Sequence, residues 1–139
     1  IVGFPGETED DLEQTLSLCR EIEFDNAFVF KYSKRRDTPA SEMPGQIQEG
    51  EIEARHAIVL KQIDEIRGRR FQKHLGSEME ILIEGPSRRN QERMEGRSRC
   101  NKIIIIDNGK CHAGQILPVQ ITSATRTTLY GTPVLERRN

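Results

Sequence analysis

The stretch SEMEILIEGP, residues 77–86, decides the fold class of the second half of the chain. Apolar residues and glutamates alternate along it: Met79, Ile81 and Ile83 against Glu78, Glu80 and Glu84. A period of two is typical of a β-strand with one buried face. Gly85 and Pro86 then predict the end of the strand.

Four more β-rich segments follow, and turn residues at Asn108-Gly109 and Ala113-Gly114 separate some of them. The predicted strands cover residues 93–100, 102–107, 115–122 and 126–131. Five short strands in about sixty residues predict a small closed or partly open barrel of the oligonucleotide-binding kind.

The first half of the chain has a different pattern, strand then helix then strand. Residues 1–4 read as the tail of a buried strand, and residues 27–32 as a second strand. Between them a helix begins at Thr8, whose hydroxyl can cap free amides together with Asp11. Its apolar face carries Leu12, Leu16, Cys19 and Ile22. This order predicts a βαβ unit with parallel strands, and hence the α/β class.

A long irregular connection, residues 33–50, precedes a second long helix. One face of that helix carries Ile52, His56, Val59, Ile63 and Ile66. We expect His56 to be a packed core residue. The helix ends in a basic run near Gly76, where we place a domain boundary between residues 1–76 and residues 77–139.

Charge divides the chain in a similar way. The 139 residues carry a formal net charge of −1. Up to Ile66 there are 15 acids against 7 bases, and from Arg67 there are 7 acids against 14 bases. The balances of −8 and +7 predict two modules, of which the second faces a polyanion.

Two candidate sites lie where the parallel strands end, which is where active sites form in α/β folds. One is the turn Gly3-Phe4-Pro5-Gly6-Glu7, in which the Glu7 carboxylate either closes the turn or accepts hydrogen bonds from a ribose or an amine. The other is the cationic rim Lys34, Arg35 and Arg36, which suits a nucleic-acid backbone. No Gly-Lys-Ser/Thr follows the turn, so a P-loop is excluded.

The basic half offers candidate phosphate contacts in Arg93, Arg97 and Arg99, whose even spacing predicts one strand face, with Lys102 just beyond the bend. Phe71 and Tyr130 are its two aromatic residues. This number is small for a surface that stacks bases, so we expect the module to bind phosphates and shape.

The three cysteines Cys19, Cys100 and Cys111 are scattered, which argues against a disulfide framework and favours a reducing, cytoplasmic setting. Cys100, Cys111 and His112 match no zinc or iron–sulfur spacing, so we expect no metal site. No apolar run of membrane-spanning length occurs in the sequence, and we expect no membrane contact.

Three motifs resemble the radical-SAM methylthiotransferase family, and together they cover essentially the whole chain. The first is IVGFPGETEDD at residues 1–11, and the second is FVFKYS at residues 28–33 with Arg35, TPA at residues 38–40 and Met43-Pro44. The tail from Gly76 resembles the TRAM domain through EGPS at residues 84–87, GRSR at residues 96–99 and Asn101. Lys34, Arg36 and Asp37 stand where that family usually has proline, proline and glycine.

The resemblance implies the C-terminal part of a radical-SAM (βα) partial barrel, followed by a five-stranded OB-like TRAM barrel. It implies a parent enzyme that replaces a C–H bond with a methylthio group, using two 4Fe-4S clusters and S-adenosylmethionine. The chain looks most like the branch that modifies isopentenyl-adenosine beside the tRNA anticodon, so the implied partner is a tRNA anticodon stem-loop. The radical-SAM cysteine triplet is not in this sequence, and we expect these 139 residues alone to be inactive.

By the same resemblance, Gly3, Pro5 and Glu7 would lie near S-adenosylmethionine, and Arg35 would approach the substrate. Arg97, Arg99 and Lys102 would hold RNA. Two alternatives stay open: a sibling enzyme that methylthiolates an aspartate of a ribosomal protein, and a stand-alone RNA-binding module. We expect a monomer.

Overall fold

A computed structural model describes residues 1–107 and 111–134. The chain divides into two compact units, Ile1–Arg67 and Gly68–Asn139, and each is described by itself. The turn predicted at Asn108-Gly109 lies outside the described residues.

The first unit contains three helices, and the first of them begins at a capping box. Helix α1 spans Glu9–Ile22, a short helix α2 spans Pro39–Glu42, and α3 spans Glu49–Gln72, with its last residues in the second unit. Thr8 and Asp11 form the predicted capping box, since Thr8 N–H donates to Asp11 Oδ2 at 2.9 Å and Asp11 N–H to Thr8 Oγ1 at 3.2 Å. The core of this unit contains Val2, Leu12, Leu16, Cys19, Val59, Ile63 and Ile66. Ile22, predicted on the apolar face, is 52% exposed because the helix ends there, before the left-handed residue Glu23.

The two strands predicted in the first unit are reduced to one parallel bridge between Val2 and Lys31. Val2 N–H donates to Phe30 O at 2.8 Å, and Tyr32 N–H donates to Val2 O at 2.7 Å. The bridge has the parallel direction that a βαβ unit requires, but a full ladder does not form. Gly3 has φ +78°, which turns the chain away directly after Val2.

The second unit is a closed barrel of five strands, as predicted. They are β1 (Glu78–Pro86), β2 (Arg93–Ser98), β3 (Ile103–Asp107), β4 (Ile116–Ala124) and β5 (Leu129–Pro133). The strand order is β1-β2-β3-β5-β4, and every pairing is antiparallel except that of β3 with β5. The alternating residues of SEMEILIEGP supply Ile81 and Ile83 to the core, and Phe71 from the end of α3 also belongs to it.

Candidate nucleic-acid interface

The outer face of β2 carries two of the predicted arginines. Arg93 and Arg97 point outward with Glu95 between them, because alternate residues of a strand share a face. Arg99 is not on this face, since β2 ends at Ser98 and the chain turns towards Asn101, which has φ +61°. The predicted trio is therefore a pair on the strand and a third arginine, 86% exposed at its side chain, in the turn.

Each of these arginines has an acidic neighbour within the barrel. Arg93 Nε lies 3.1 Å from Asp107 Oδ1, Arg97 Nε lies 3.2 Å from Glu84 Oε2, and Arg99 Nη2 lies 2.8 Å from Glu80 Oε1. Exposed pairs of this kind contribute less than about 1 kcal/mol each. A guanidinium has five N–H donors, so each arginine keeps donors that can bind a phosphate.

Lys102 is placed differently from the sequence-based expectation. Its side chain is buried, with Nζ 3.5 Å from Cys100 Sγ and 5.7 Å from the centroid of the Phe71 ring. The cause is the tight β2–β3 turn, where Lys102 N–H donates to Ser98 Oγ at 3.1 Å. Lys102 is therefore buried beside Phe71 and does not present an exposed cation.

The loop between β1 and β2 holds two cations that were not among the predicted site residues. Arg88 and Arg89 are exposed, and the described residues give neither an ion-pair partner. The loop is fixed by its own hydrogen bonds, since Asn90 Oδ1 accepts from Glu92 N–H at 2.9 Å and Asn90 O accepts from Arg93 N–H at 3.0 Å. The available signal was a pair of arginines directly after a Gly-Pro-Ser turn.

A surface groove of about 480 Å³ runs beside this loop. The cationic side chains that line it are Arg88, Arg89, Arg93 and Arg97, and the acidic ones are Glu84 and Glu95. The excess of cations makes the groove an attractive site for an anionic backbone.

The cationic rim of the first unit is exposed, as expected for Lys34, Arg35 and Arg36. Because the Val2–Lys31 bridge is parallel, this rim and the turn at residues 3–7 leave the strand pair at the same end. Lys34 also lines a cavity of about 420 Å³. Asp37 has φ +61°, a left-handed conformation at the position where the resembling family usually has glycine.

Hydrogen bonds to the Glu7 carboxylate stabilise the turn at residues 3–7. Glu7 Oε2 accepts from Gly3 N–H at 3.1 Å, and Glu7 Oε1 accepts from Arg55 Nη1 at 2.9 Å. Pro5 is buried, and a Cβ at Gly3 would lie 2.6 Å from Ile52 Cγ1. Both carboxylate oxygens of Glu7 are engaged, so Glu7 stabilises the turn, and its place near a cofactor stays a prediction.

Arg55 of α3 stabilises this turn, and the sequence analysis did not predict that role. It is 5% exposed, and besides Glu7 it donates from Nη2 to Glu9 Oε1 at 2.8 Å and to Glu51 Oε1 at 2.6 Å. The hydrogen bond to Glu7, with the charges of Glu9 and Glu51, holds the pKa of Arg55 above its usual value despite burial. The signal in the sequence was the Glu51–Arg55 spacing of four residues on a helix.

The structure was also compared with the requirements of metal sites, disulfides and membrane-spanning helices. Within residues 1–107 and 111–134, no group of three or more His, Cys, Asp and Glu side chains could hold a metal ion. Cys19 is buried, Cys100 is exposed and Cys111 is partly exposed, all as free thiols. In the same residues, no helix is long and apolar enough to cross a membrane.

The barrel region matches a known protein family. Residues 72–134 match the family model described as the TRAM domain. The barrel is similar to TRAM domains. The match begins at the last residue of α3 and ends one residue after β5, so it takes in all five strands.

Whole-chain comparisons extend this result beyond the TRAM domain. The chain is 45% identical to a tRNA-2-methylthio-N(6)-dimethylallyladenosine synthase of Akkermansia muciniphila, over 99% of the chain and 30% of the relative. It is 42% identical to the synthase of the same name from Methylacidiphilum infernorum, over 97% of the chain and 29% of the relative. The resemblance to the tRNA branch of the methylthiotransferase family is confirmed. The chain spans about three tenths of the length of the curated relatives it matches.

The barrel thus presents a cationic groove, and the first unit presents a closed turn and a cationic rim. The groove can bind a polyanion without rearrangement of the backbone, because the β1–β2 loop is already hydrogen-bonded.

Proposed function

We propose that this chain is the RNA-holding end of a tRNA methylthiotransferase, and that its TRAM domain grips the phosphates of the tRNA. The observation that carries the proposal is the fixed β1–β2 loop, which holds Arg88 and Arg89 beside Arg93 and Arg97 around one groove. The names of the relatives, which are tRNA-modifying synthases, support the same partner.

Electrostatics explains why phosphates are the favoured ligand. Residues from Arg67 onward have a balance of +7, and four of these cations surround the groove. Each phosphate that an arginine neutralises releases condensed counterions, which is the main source of affinity in non-specific nucleic-acid binding. The weak surface pairs of Arg93, Arg97 and Arg99 can exchange a carboxylate for a phosphate at small cost.

The substrate of the parent enzyme, on this proposal, is isopentenyl-adenosine in a tRNA anticodon stem-loop. Its chemistry is methylthio transfer with S-adenosylmethionine and two 4Fe-4S clusters, which we assign to the part of the relatives that this chain does not span. Gly3, Pro5 and Glu7 stay predicted neighbours of the cofactor, and Lys34, Arg35 and Arg36 a predicted rim for the RNA. These 139 residues alone would be inactive, monomeric and cytoplasmic.

The test is filter binding of a tRNA anticodon stem-loop to the 139-residue chain across a salt series. The logarithm of the affinity should fall linearly with the logarithm of the salt concentration. The double variants Arg88→Ala/Arg89→Ala and Arg97→Ala/Arg99→Ala should each bind more weakly to every RNA tested. Each should also reduce the salt slope by roughly one for every phosphate that the variant no longer neutralises.

Lys61→Ala is the matched control, because Lys61 is an exposed cation of the acidic first unit. It should leave both the affinity and the slope close to those of the parent chain. Affinity that does not depend on salt would contradict the proposal, as would arginine variants that bind like the parent. Tight binding to a ribosomal protein in place of RNA would favour the aspartate-modifying sibling.

A further inference from the structure

Ile105 is buried, although it lies on the outer face of the barrel and not in the core. Ile104 and Ile106 of β3 are fully buried in the core cluster, so Ile105 between them points to the outer face. Ile105 is nevertheless 8% exposed. Its cross-strand partners are Glu95 on β2 and Tyr130 on β5, which flank it on the two neighbouring strands.

Tyr130 therefore stands on the outside of the barrel against an apolar floor. It is one of two aromatic residues after Arg67, and the other, Phe71, is inside the core. The ring is half-buried, and the described residues give its hydroxyl no hydrogen-bond partner. An aromatic side chain that lies on the outer face of a barrel and is partly exposed to solvent can serve as a stacking surface.

Two grooves meet at this ring. The 480 Å³ groove on one side and a second groove of about 330 Å³ on the other share three lining residues, Arg93, Ile105 and Tyr130. The first groove also contains Arg88, Arg89 and Arg97, whose charges suit the phosphates that flank a base. Volumes of this size are sufficient for a small planar ligand.

We propose that Tyr130 is a base-stacking site for one unpaired nucleotide, with the arginines of the groove on the neighbouring phosphates. This inference rests on the proposed function, and it adds to the phosphate grip a contact that requires a base. It commits to single-stranded RNA, because a base inside a duplex has no free face to offer. Every base has a π-face, so the site accepts all four bases.

Tyrosine fluorescence gives a direct measurement. The chain has two tyrosines and no tryptophan, so in the variant Tyr32→Phe all tyrosine emission comes from Tyr130. Tyr32 Oη is buried without a hydrogen-bond partner in the described part of the chain, so this change removes no hydrogen bond found there. Titration with a short unlabelled single-stranded RNA should quench the emission, because a stacked base quenches an excited phenol ring. Inorganic polyphosphate, a polyanion without bases, should bind without quenching.

Variants at Tyr130 test the same contact by affinity. Anisotropy of a labelled RNA should show that Tyr130→Ala weakens binding about 5- to 150-fold, the range expected for the loss of one stacked base. Tyr130→Phe keeps the ring and should bind like the parent. Competition by polyphosphate should be unchanged in both variants, since it uses the arginines alone.

The outcomes separate this inference from the proposed function. RNA binding with a normal salt slope but no quenching, or with an alanine variant equal to the parent, would overturn the stacking site and leave the phosphate grip standing. No binding of RNA at all would overturn both. The quenching experiment uses the native Tyr130, so it decides the question even if Tyr130→Ala fails to fold.

Discussion

The two units of the chain differ in how completely their strands are paired. In the second unit, β1 pairs with both β2 and β4, so the sheet closes and its edges are paired. In the first unit, the described strand contact is the single Val2–Lys31 bridge. Phe28 and Phe30 beside it are 81% and 62% exposed and stack with ring centroids 6.4 Å apart, while Val29 between them packs on the core. Each strand of the barrel is paired on both sides, whereas residues 28–30 of the first unit expose two phenylalanine side chains.

The units also use charge differently. In the first, a buried arginine draws three carboxylates together and fixes a turn. In the second, arginines and carboxylates pair on the surface, where solvent and ligands reach them. Buried charges that lose a partner are costly, and exposed ones are not. The buried cluster around Arg55 therefore serves structure, whereas the surface pairs of the barrel are open to exchange with a ligand.

The largest effect should come from core substitutions that show whether the two units unfold separately. Ile63→Ala in α3 and Ile104→Ala in β3 each remove a fully packed side chain, at a cost of about 2–5 kcal/mol in the free energy of unfolding. We expect urea to unfold the first unit before the barrel, because the first has fewer closed strand pairs. Ile63→Ala should shift the first transition, and Ile104→Ala the second.

Single-tyrosine variants report the two transitions, since Tyr32 lies in the first unit and Tyr130 in the barrel. Limited proteolysis gives an independent measurement, with cleavage expected before Gly76 and protection from Ser77 onward. One shared transition for both tyrosines, moved equally by either substitution, would show that the contrast between the units is not thermodynamic.

Much of this contrast could be predicted from local patterns. The capping box at Thr8 and Asp11 follows from residue types three positions apart, and the structure contains both of its hydrogen bonds. The barrel strands follow from alternation and turn residues. The alternation that starts at Glu78 marks the first residue of β1, although Gly85 and Pro86, which were expected to end the strand, still belong to it. Such features depend on neighbours in sequence, which a single sequence shows.

The features that could not be predicted depend on partners distant in the chain. Arg55 pairs with Glu7 and Glu9, which lie more than 40 residues earlier in the chain. Helical periodicity had instead predicted His56, the next residue, as the polar residue on the buried face of α3. Tyr130 gains its role from Ile105, which becomes its neighbour through a parallel β3–β5 pairing. Lys102 looked like an exposed cation until the β2–β3 turn placed it over Phe71.

A smaller effect is expected from Arg55→Met, which tests whether charge is structural in the first unit. The change leaves Glu7, 15% exposed at its side chain, without its cation. Removal of one partner of a buried pair costs about 3–5 kcal/mol, and we expect roughly 3, since Glu9 and Glu51 are exposed to water. The measurement is the first urea transition, followed by Tyr32 fluorescence in a Tyr130→Phe background.

Lys31→Met is the control for Arg55→Met, because Lys31 pairs with Glu53 at 3.1 Å on the surface of the same unit. It should cost less than about 1 kcal/mol. Equal effects of the two substitutions would mean that the buried cluster holds the turn no more strongly than a surface pair does, and the contrast in the use of charge would fail.

The smallest effect concerns the cap of α1 and its dependence on pH. Hydrogen bonds from the Thr8 N–H and hydroxyl hold the pKa of Asp11 below its usual value. A carboxyl whose pKa is lowered by folding stabilises the folded state above its unfolded pKa, about 3.9, and this contribution disappears as the pH falls through the folded value. Asp11→Asn should therefore destabilise the first unit at neutral pH and become equal to the parent in acid.

Asp10→Asn removes a charge from the same helical turn without touching the cap, so it should show a smaller loss at neutral pH. Thr8→Ala should cost about 1 kcal/mol at neutral pH. None of the three should move the barrel transition reported by Tyr130, and a shift there would mean that the units are coupled more tightly than their separate cores suggest.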